Sequence, residues 1–209
     1  MAAVTLDITM SLDGFVTAPN DAPGNGLGDD GEVLHDWVFG GPWTYRDPAG
    51  TERKMGASNP MDQVVFDEIM SAGAAVVGRR MYDVAGGWGG QPPFGTRCIV
   101  VTHRLEDQPD PASGFEFVNG IEAAVHRAKE VAGDRAVAIG GGASIARQAL
   151  QLGLVDEIQV HVAPIVLGAG RPLFGDLGVR LQLERVRVLD APFATHLRYR
   201  VLDRATTDR

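Results

Sequence analysis

Ala136-Val137-Ala138-Ile139-Gly140-Gly141-Gly142-Ala143-Ser144-Ile145 is the stretch on which the fold turns. Four apolar residues in a row read as a short strand buried on both faces, the habit of strands in parallel sheets. Three glycines follow with no polar linker, and then Ile145, Ala149 and Leu152 recur at helical spacing. Such a junction lets backbone N–H groups approach an anion at the positive end of a helix dipole. It reads either as an anion-binding corner or as a tight strand–helix turn. It is not the dinucleotide fingerprint G-x-G-x-x-G, because the sixth position from Gly140 is Ile145.

Two more junctions share this grammar. Ala74-Ala75-Val76-Val77 runs directly into Gly78-Arg79-Arg80-Met81, and the strand Arg97–Thr102 ends in Thr102-His103-Arg104. A basic residue behind a strand is ordinarily just solvated. Arginines there can also grip phosphate through two parallel hydrogen bonds. Three such ends suggest one phosphate-rich ligand lying across the carboxyl edge of a sheet.

The rest of the chain supplies the frame. Val4, Leu6 and Ile8 alternate as a first strand, followed by a turn at Asp13-Gly14. Asn59-Pro60 opens a helix with Asp62 in its first turn, Val64, Val65 and Ile69 as its apolar face and Gly73 at its end. Asn119 with Glu122 forms a capping box for a helix whose face is Ile121, Ala124, Val125, Ala128 and Val131, closed by Gly133. Glu157–Val162 is another strand. The C-terminal part is a hairpin, with a bulge at Glu184-Arg185 where the apolar parity changes. Its return strand alternates Leu197, Tyr199 and Val201 with His196, Arg198 and Arg200, and Ala205–Arg209 should fray. Strands that alternate with helices and then turn antiparallel make an α/β sheet of mixed direction. Residues 19–59 lack periodicity and hold eight glycines, yet carry Trp37, Trp43 and Tyr45. They read as a glycine-rich lid, partly helical around Glu32–Phe39.

Composition narrows the classes. The 209 residues suit one domain spanning the chain. A net charge of −8 argues against a protein that coats nucleic acid or an anionic membrane. The single cysteine, Cys98, excludes an internal disulfide and a cysteine-rich zinc site, and its run Cys98-Ile99-Val100-Val101 reads as a buried strand. No metal is expected. No signal-peptide pattern or membrane-length apolar run is present, so a cytoplasmic location is expected.

Ser11-Leu12-Asp13-Gly14, Val77-Gly78-Arg79-Arg80-Met81-Tyr82, Ile139-Gly140-Gly141-Gly142 and Asp156-Glu157-Ile158 through Ala163-Pro164-Ile165-Val166-Leu167-Gly168-Ala169-Gly170 together resemble the dihydrofolate reductase-like superfamily. Within it the chain is most similar to the reductase domain of the bifunctional riboflavin-biosynthesis deaminase-reductase and its stand-alone bacterial relatives. The resemblance spans nearly the whole chain. It implies a three-layer fold, with a mostly parallel mixed sheet flanked by helices and a C-terminal antiparallel hairpin. It further implies an NADPH-dependent reductase, commonly a homodimer. On this resemblance Gly78, Arg79, Arg80 and Met81 lie along the diphosphate and adenosine end of the cofactor, and Thr102, His103 and Arg104 on its 2′-phosphate side. Gly140, Gly141, Gly142, Ala143, Ser144 and Ile145 wrap the diphosphate and nicotinamide ribose. Thr9, Met10, Val16 and Thr17 border the nicotinamide.

The substrate implied is a small planar nitrogen heterocycle, pterin- or aminopyrimidine-like, whose C=N or C=O accepts the hydride. Asp62 corresponds to the helical carboxylate that pairs with such a ring, and equally sits where a helix start favours negative charge. His161 interrupts an apolar strand face, as a proton donor or as a hydrogen-bonded structural group. Asp13 reads as a turn residue or a substrate contact. Trp37 floors a flat ring or anchors the lid. Two positions depart from the riboflavin-pathway pattern: Asp7 stands where a lysine is usual and Thr9 where an alanine is usual. A competing reading is a non-catalytic nucleotide- or flavin-binding module built on the same corners.

Overall fold

The computed structural model describes residues 2–44 and 55–206. Among the described residues ten strands and four α-helices form in the order β1 (Val4–Ser11), β2 (Phe15–Thr17), α1 (Pro60–Ser71), β3 (Ala74–Gly78), α2 (Arg79–Val84), β4 (Cys98–Val101), β5 (Phe115–Val118), α3 (Ile121–Ala132), β6 (Val137–Gly141), α4 (Ala143–Gln151), β7 (Glu157–Ala163), β8 (Arg171–Pro172), β9 (Val179–Asp190) and β10 (Thr195–Thr206). Eight strands make one sheet, ordered β5-β4-β3-β6-β1-β7-β10-β9, and β2 pairs with β8 in a small antiparallel strap. From β5 to β7 every pairing is parallel, and only β10 and β9 run against their neighbours. This is the dihydrofolate reductase-like sheet with its antiparallel end.

The two faces of the sheet are chemically different. Val4, Leu6, Ile8, Val76, Ile99, Ile139, Ile158 and Val160 pack against α3 and α4 in a wholly apolar core. The opposite face is apolar over β3–β5, where Val77, Val100, Phe115 and Phe117 meet Met81, Tyr82 and Trp88. Over β1, β7 and β10 it turns polar. Asp7 lies beside Gln159 and Gln159 beside Arg198, while Thr9 lies beside His161 and His161 beside His196. Alternation on each strand sends these residues to one side. Helix α1 covers them, using Val65, Phe66 and Ile69 together with Trp37, Phe193 and Ala194.

Several local expectations shift. Val64 is exposed, and Phe66 takes its place on the α1 face. Leu152 is exposed, because α4 presents Ile145, Ala146, Ala149 and Leu150 to the core. Asn119 does not cap α3. Gly120, at φ 85°, is the N-cap, and the Asn119 side chain pairs with His103 instead. Strand β5 is an addition to the expected elements; its Phe115 and Phe117 are buried while Glu116 points out to Arg127. The hairpin has two bulges: one at Val186, since Arg198 pairs with Arg187 and Tyr199 with Arg185, and one at Leu202, since Val201 pairs with Leu183 and Asp203 with Gln182. Ala205 and Thr206 do not fray but pair with Arg180 and Val179. The expected lid contains a 3-10 turn at Gly31–His35, and Tyr45 and residues 207–209 lie outside the described residues. No described helix is long and apolar enough to cross a membrane.

Candidate functional site

Because β4, β3, β6 and β1 are parallel neighbours, their carboxyl ends share one edge, and the three glycine- and arginine-bearing corners meet there. The approach is close. A Cβ at Gly78 would lie 2.8 Å from Ile145 and 3.7 Å from the Gly142 nitrogen, and one at Gly141 would lie 3.2 Å from the Met81 sulfur. Beside Gly142 the space is open. Gly142 is the N-cap of α4 and no side chain caps that helix, so its first N–H groups face outward beside Ala143 and Ser144. Gly140 packs near Phe94 and Val77.

The arginines of the edge are held by the protein's own carboxylates. Arg79 reaches Asp83 at 2.7 Å and Asp107 at 2.9 Å, its guanidinium 4.8 Å from the Phe117 ring centre. Its Nη1 is buried with no hydrogen-bond partner. Arg104 also pairs with Asp83, at 2.7 Å. The Thr102 hydroxyl accepts the Arg104 backbone N–H, and His103 bonds Asn119. Arg80 and Arg171 share Asp21, at 2.8 and 2.9 Å. Burial would raise the Asp21 carboxyl, but hydrogen bonds from these two arginines hold it below the usual range. One carboxylate facing two guanidiniums leaves a surplus positive charge at this point.

Strand β1 sends Thr9 and Met10 to opposite sides. Met10 packs toward the apolar core, and Thr9 accepts a 2.9 Å hydrogen bond from the Trp37 indole. Val16 is buried, and the buried Thr17 hydroxyl has no partner. Asp13 clips two loops together. It accepts from Ser11 at 2.6 Å and from the Leu167 and Gly168 N–H groups at 3.1 and 2.7 Å, and these hydrogen bonds, the Ser11 one foremost, lower its carboxyl. Trp37 is only 2% exposed, its ring 4.5 Å from His161, 5.0 Å from His196 and 5.6 Å from Phe66, centre to centre.

Asp62 and His161 belong to one buried row. Asn59 caps α1 through the Met61 and Asp62 N–H groups and also donates to the Asp62 carboxylate. The other Asp62 oxygen lies 2.9 Å from His196 Nε2. His196 Nδ1 lies 2.8 Å from His161 Nδ1, and His161 Nε2 lies 3.0 Å from Asp7. Gln159 donates to the second Asp7 oxygen at 2.9 Å. Burial first, and the neighbouring His161 second, push His196 below its ordinary value. Of this row the sequence singles out Asp62, at one end, and His161, in the middle, without their partners. His196 was legible only as a polar residue alternating on a strand, and Asp7 only as a departure from a pattern. Asp21 carried no signal, because its partners come from distant loops.

Among the described residues no cluster of three or more His, Cys, Asp or Glu is arranged to hold a metal ion. A groove of about 470 Å³ lined by Ala3, Asp156, Leu181, Arg200 and Arg204 opens where β1 begins, at the edge opposite the glycine corners.

Comparison with known proteins agrees with this architecture. Protein YyaP of Bacillus subtilis, itself uncharacterized, is 28% identical over 197 residues, covering 88% of this chain and 86% of that protein. A putative riboflavin biosynthesis protein from Shewanella superposes with a TM-score of 0.68 at 19% identity, covering 97% of this chain and all of the other. A dihydrofolate reductase from Enterococcus faecalis, complexed with NADP(H), superposes with a TM-score of 0.59 at 16% identity, covering 96% and 97%. The model of the RibD C-terminal domain matches residues 2–194. On that match, over nearly the whole described chain, this protein belongs to the RibD C-terminal domain family.

Proposed function

We propose that the protein is a reductase that uses NADPH to transfer a hydride to a C=N or C=O of a small planar nitrogen heterocycle. Membership of the RibD C-terminal domain family supports an oxidoreductase acting on pyrimidine-like rings. The observation that carries the finer reading is the position of β1. On one side it borders β6 and the uncapped start of α4, an anion-receptive edge; on the other it borders β7 and the carboxylate–imidazole row. A hydride donor and a proton donor can meet across one strand.

The residues present fit the cofactor. The unpartnered Nη1 of Arg79 and the surplus charge of Arg80 and Arg171 over Asp21 suit phosphate oxygens, as do the first N–H groups of α4. A 2′-phosphate needs such cations and a plain ribose does not, which favours NADPH over NADH. The open space at Gly142 and the unpartnered Thr17 hydroxyl suit the nicotinamide end. When bound, NADPH supplies the hydride. The protein's part is to orient the two rings and exclude water.

Trp37 supports the substrate class. A planar N–H heterocycle from the chain itself already lies against Thr9, His161, His196 and Phe66. A substrate ring would take the same surfaces with the indole moved aside, next to Asp62.

Titration with NADPH and NADH, followed by nicotinamide fluorescence, tests the reading. NADPH should bind at least tenfold more tightly, and Arg79→Ala should remove about 1.5–3 kcal/mol of that affinity. Turnover is assayed with dihydrofolate and with 5-amino-6-(5-phosphoribosylamino)uracil. Asp62→Asn should slow turnover with NADPH affinity unchanged. Equal affinity for the two dinucleotides, or none for either, overturns the proposal.

A further inference from the structure

We propose that Asp7, His161, His196 and Asp62 act as one proton-sharing chain, which hands a proton to the substrate at its Asp62 end and refills from solvent at Asp7. This rests on the reductase reading for its use, but the chain itself rests on counting protons. Three consecutive hydrogen bonds join the four groups, at 3.0, 2.8 and 2.9 Å. Each needs one hydrogen between its heavy atoms. Two neutral imidazoles bring two, and two ionised carboxylates bring none. The folded chain therefore holds one proton more than its members do separately in neutral water, and carries a net charge of −1; the proton is shared along the chain and not held by His196 itself, which burial and His161 push below its ordinary value. Without that proton the two Nδ1 lone pairs would face each other across a buried 2.8 Å gap.

The ends are unequal. The side-chain exposures are 13% for Asp7, 1% for His161, 2% for His196 and 0% for Asp62. Asp7 is the mouth, and Trp37 covers the imidazoles in between. In the reduction the carbon of C=N receives the hydride, with its two electrons, and the nicotinamide is oxidised. The nitrogen takes a proton from the chain. His196 passes its proton through Asp62 to the substrate, His161 re-protonates His196, and a solvent proton entering at Asp7 restores the count.

The charged groups around the chain are few and mostly paired. Glu68 of α1 binds Arg187 of β9 at 2.6 Å and Arg198 of β10 at 3.1 Å, and Arg198 also holds Glu157 of β7. Arg187 touches Gln159, which orients Asp7. From the loop side come Asp36 and His35, the latter held neutral by burial and by His161.

The count fixes a pH signature. In the unfolded chain the two histidines and two aspartates also hold three protons near pH ~6.5, fewer above it and more below it down to the carboxylate range. Stability from the chain therefore peaks near that pH. It falls on the alkaline side because the folded state binds one more proton there, raising the unfolding constant about tenfold per pH unit. Urea unfolding at about pH 7.5 and 8.5 reads this slope in the full chain. In His196→Gln, whose amide both gives and takes a hydrogen bond, the alkaline slope should flatten by one proton, about tenfold over that interval. Nitrogen-15 NMR of the unaltered protein needs no variant: it should show three ring protons shared by His161 and His196 at neutral pH, one bridging two nitrogens. Two ring protons, or an equal slope in His196→Gln, overturns the chain whether or not NADPH binds. Three ring protons in a protein that does not bind NADPH overturns the delivery role and the reductase reading while leaving the shared proton.

Discussion

The Nδ1 atoms of His161 and His196 lie 2.8 Å apart with neither ring more than 2% exposed. Two strands that are antiparallel neighbours, β7 and β10, place them directly opposite each other. The pairing makes the polar half of the sheet face a single unit under α1, and its consequences reach stability as well as chemistry.

Trp37 is the stopper over this unit. Trp37→Phe keeps the ring contacts but loses the indole hydrogen bond to Thr9, leaving its buried hydroxyl short of a donor. A loss of about 1 kcal/mol is expected. Trp37→Ala empties the space and should cost about 3–5 kcal/mol. Denaturant unfolding of both variants checks the ratio, and a smaller loss for the alanine would mean that the segment collapses onto the histidines.

His35 gives a separate acid-side effect. Burial first, and His161 second, lower it from 6.5 to about 4. A depressed histidine is neutral in the folded state and charged in the unfolded one between those two values. Its contribution is complete above about 6.5 and is lost as pH falls toward 4. His35→Phe should lessen the decline in stability between pH 6.5 and pH 4. The side chain is half-buried, so the difference should be about 1–2 kcal/mol. Urea unfolding across that range measures it.

Gly170 is a backbone necessity. It has φ 135°, and a Cβ there would lie 1.9 Å from the Thr17 carbonyl oxygen. Gly170→Ala must push the β2 segment away, at a cost of about 2–4 kcal/mol. If Thr17 borders the nicotinamide, NADPH affinity should fall in parallel, which titration of the folded variant would show.

Cys98 is buried in β4, and burial pushes its thiol up to about 12. It should resist a thiolate-directed reagent until the protein unfolds, so that labelling tracks the unfolding curve. Rapid labelling of the native protein would contradict the placement.

Much of this architecture was legible from local chemistry. The apolar runs Ala74–Val77, Cys98–Val101 and Val137–Ile139 are short and continuous, the pattern of strands inside a parallel sheet, although in β6 Ala138 stays half-buried. Asn59-Pro60 announced a helix start, and Asn59 does cap the Met61 and Asp62 N–H groups. Asn119 offered the same local signal, but His103, two residues past the end of β4, competes for its side chain and takes it.

The sequence by itself determined the elements, the parallel character of the sheet and hence the shared edge of Gly78, Thr102 and Gly142, because strand burial and backbone freedom are local properties. Only the tertiary structure decided the partners: Asp21 for Arg80 and Arg171, Asp83 for Arg79 and Arg104, and His196 for both His161 and Asp62. A charge or an imidazole shows in the sequence what it can bind, but what it does bind depends on which distant side chain shares its buried space, and that is set by strand order and register.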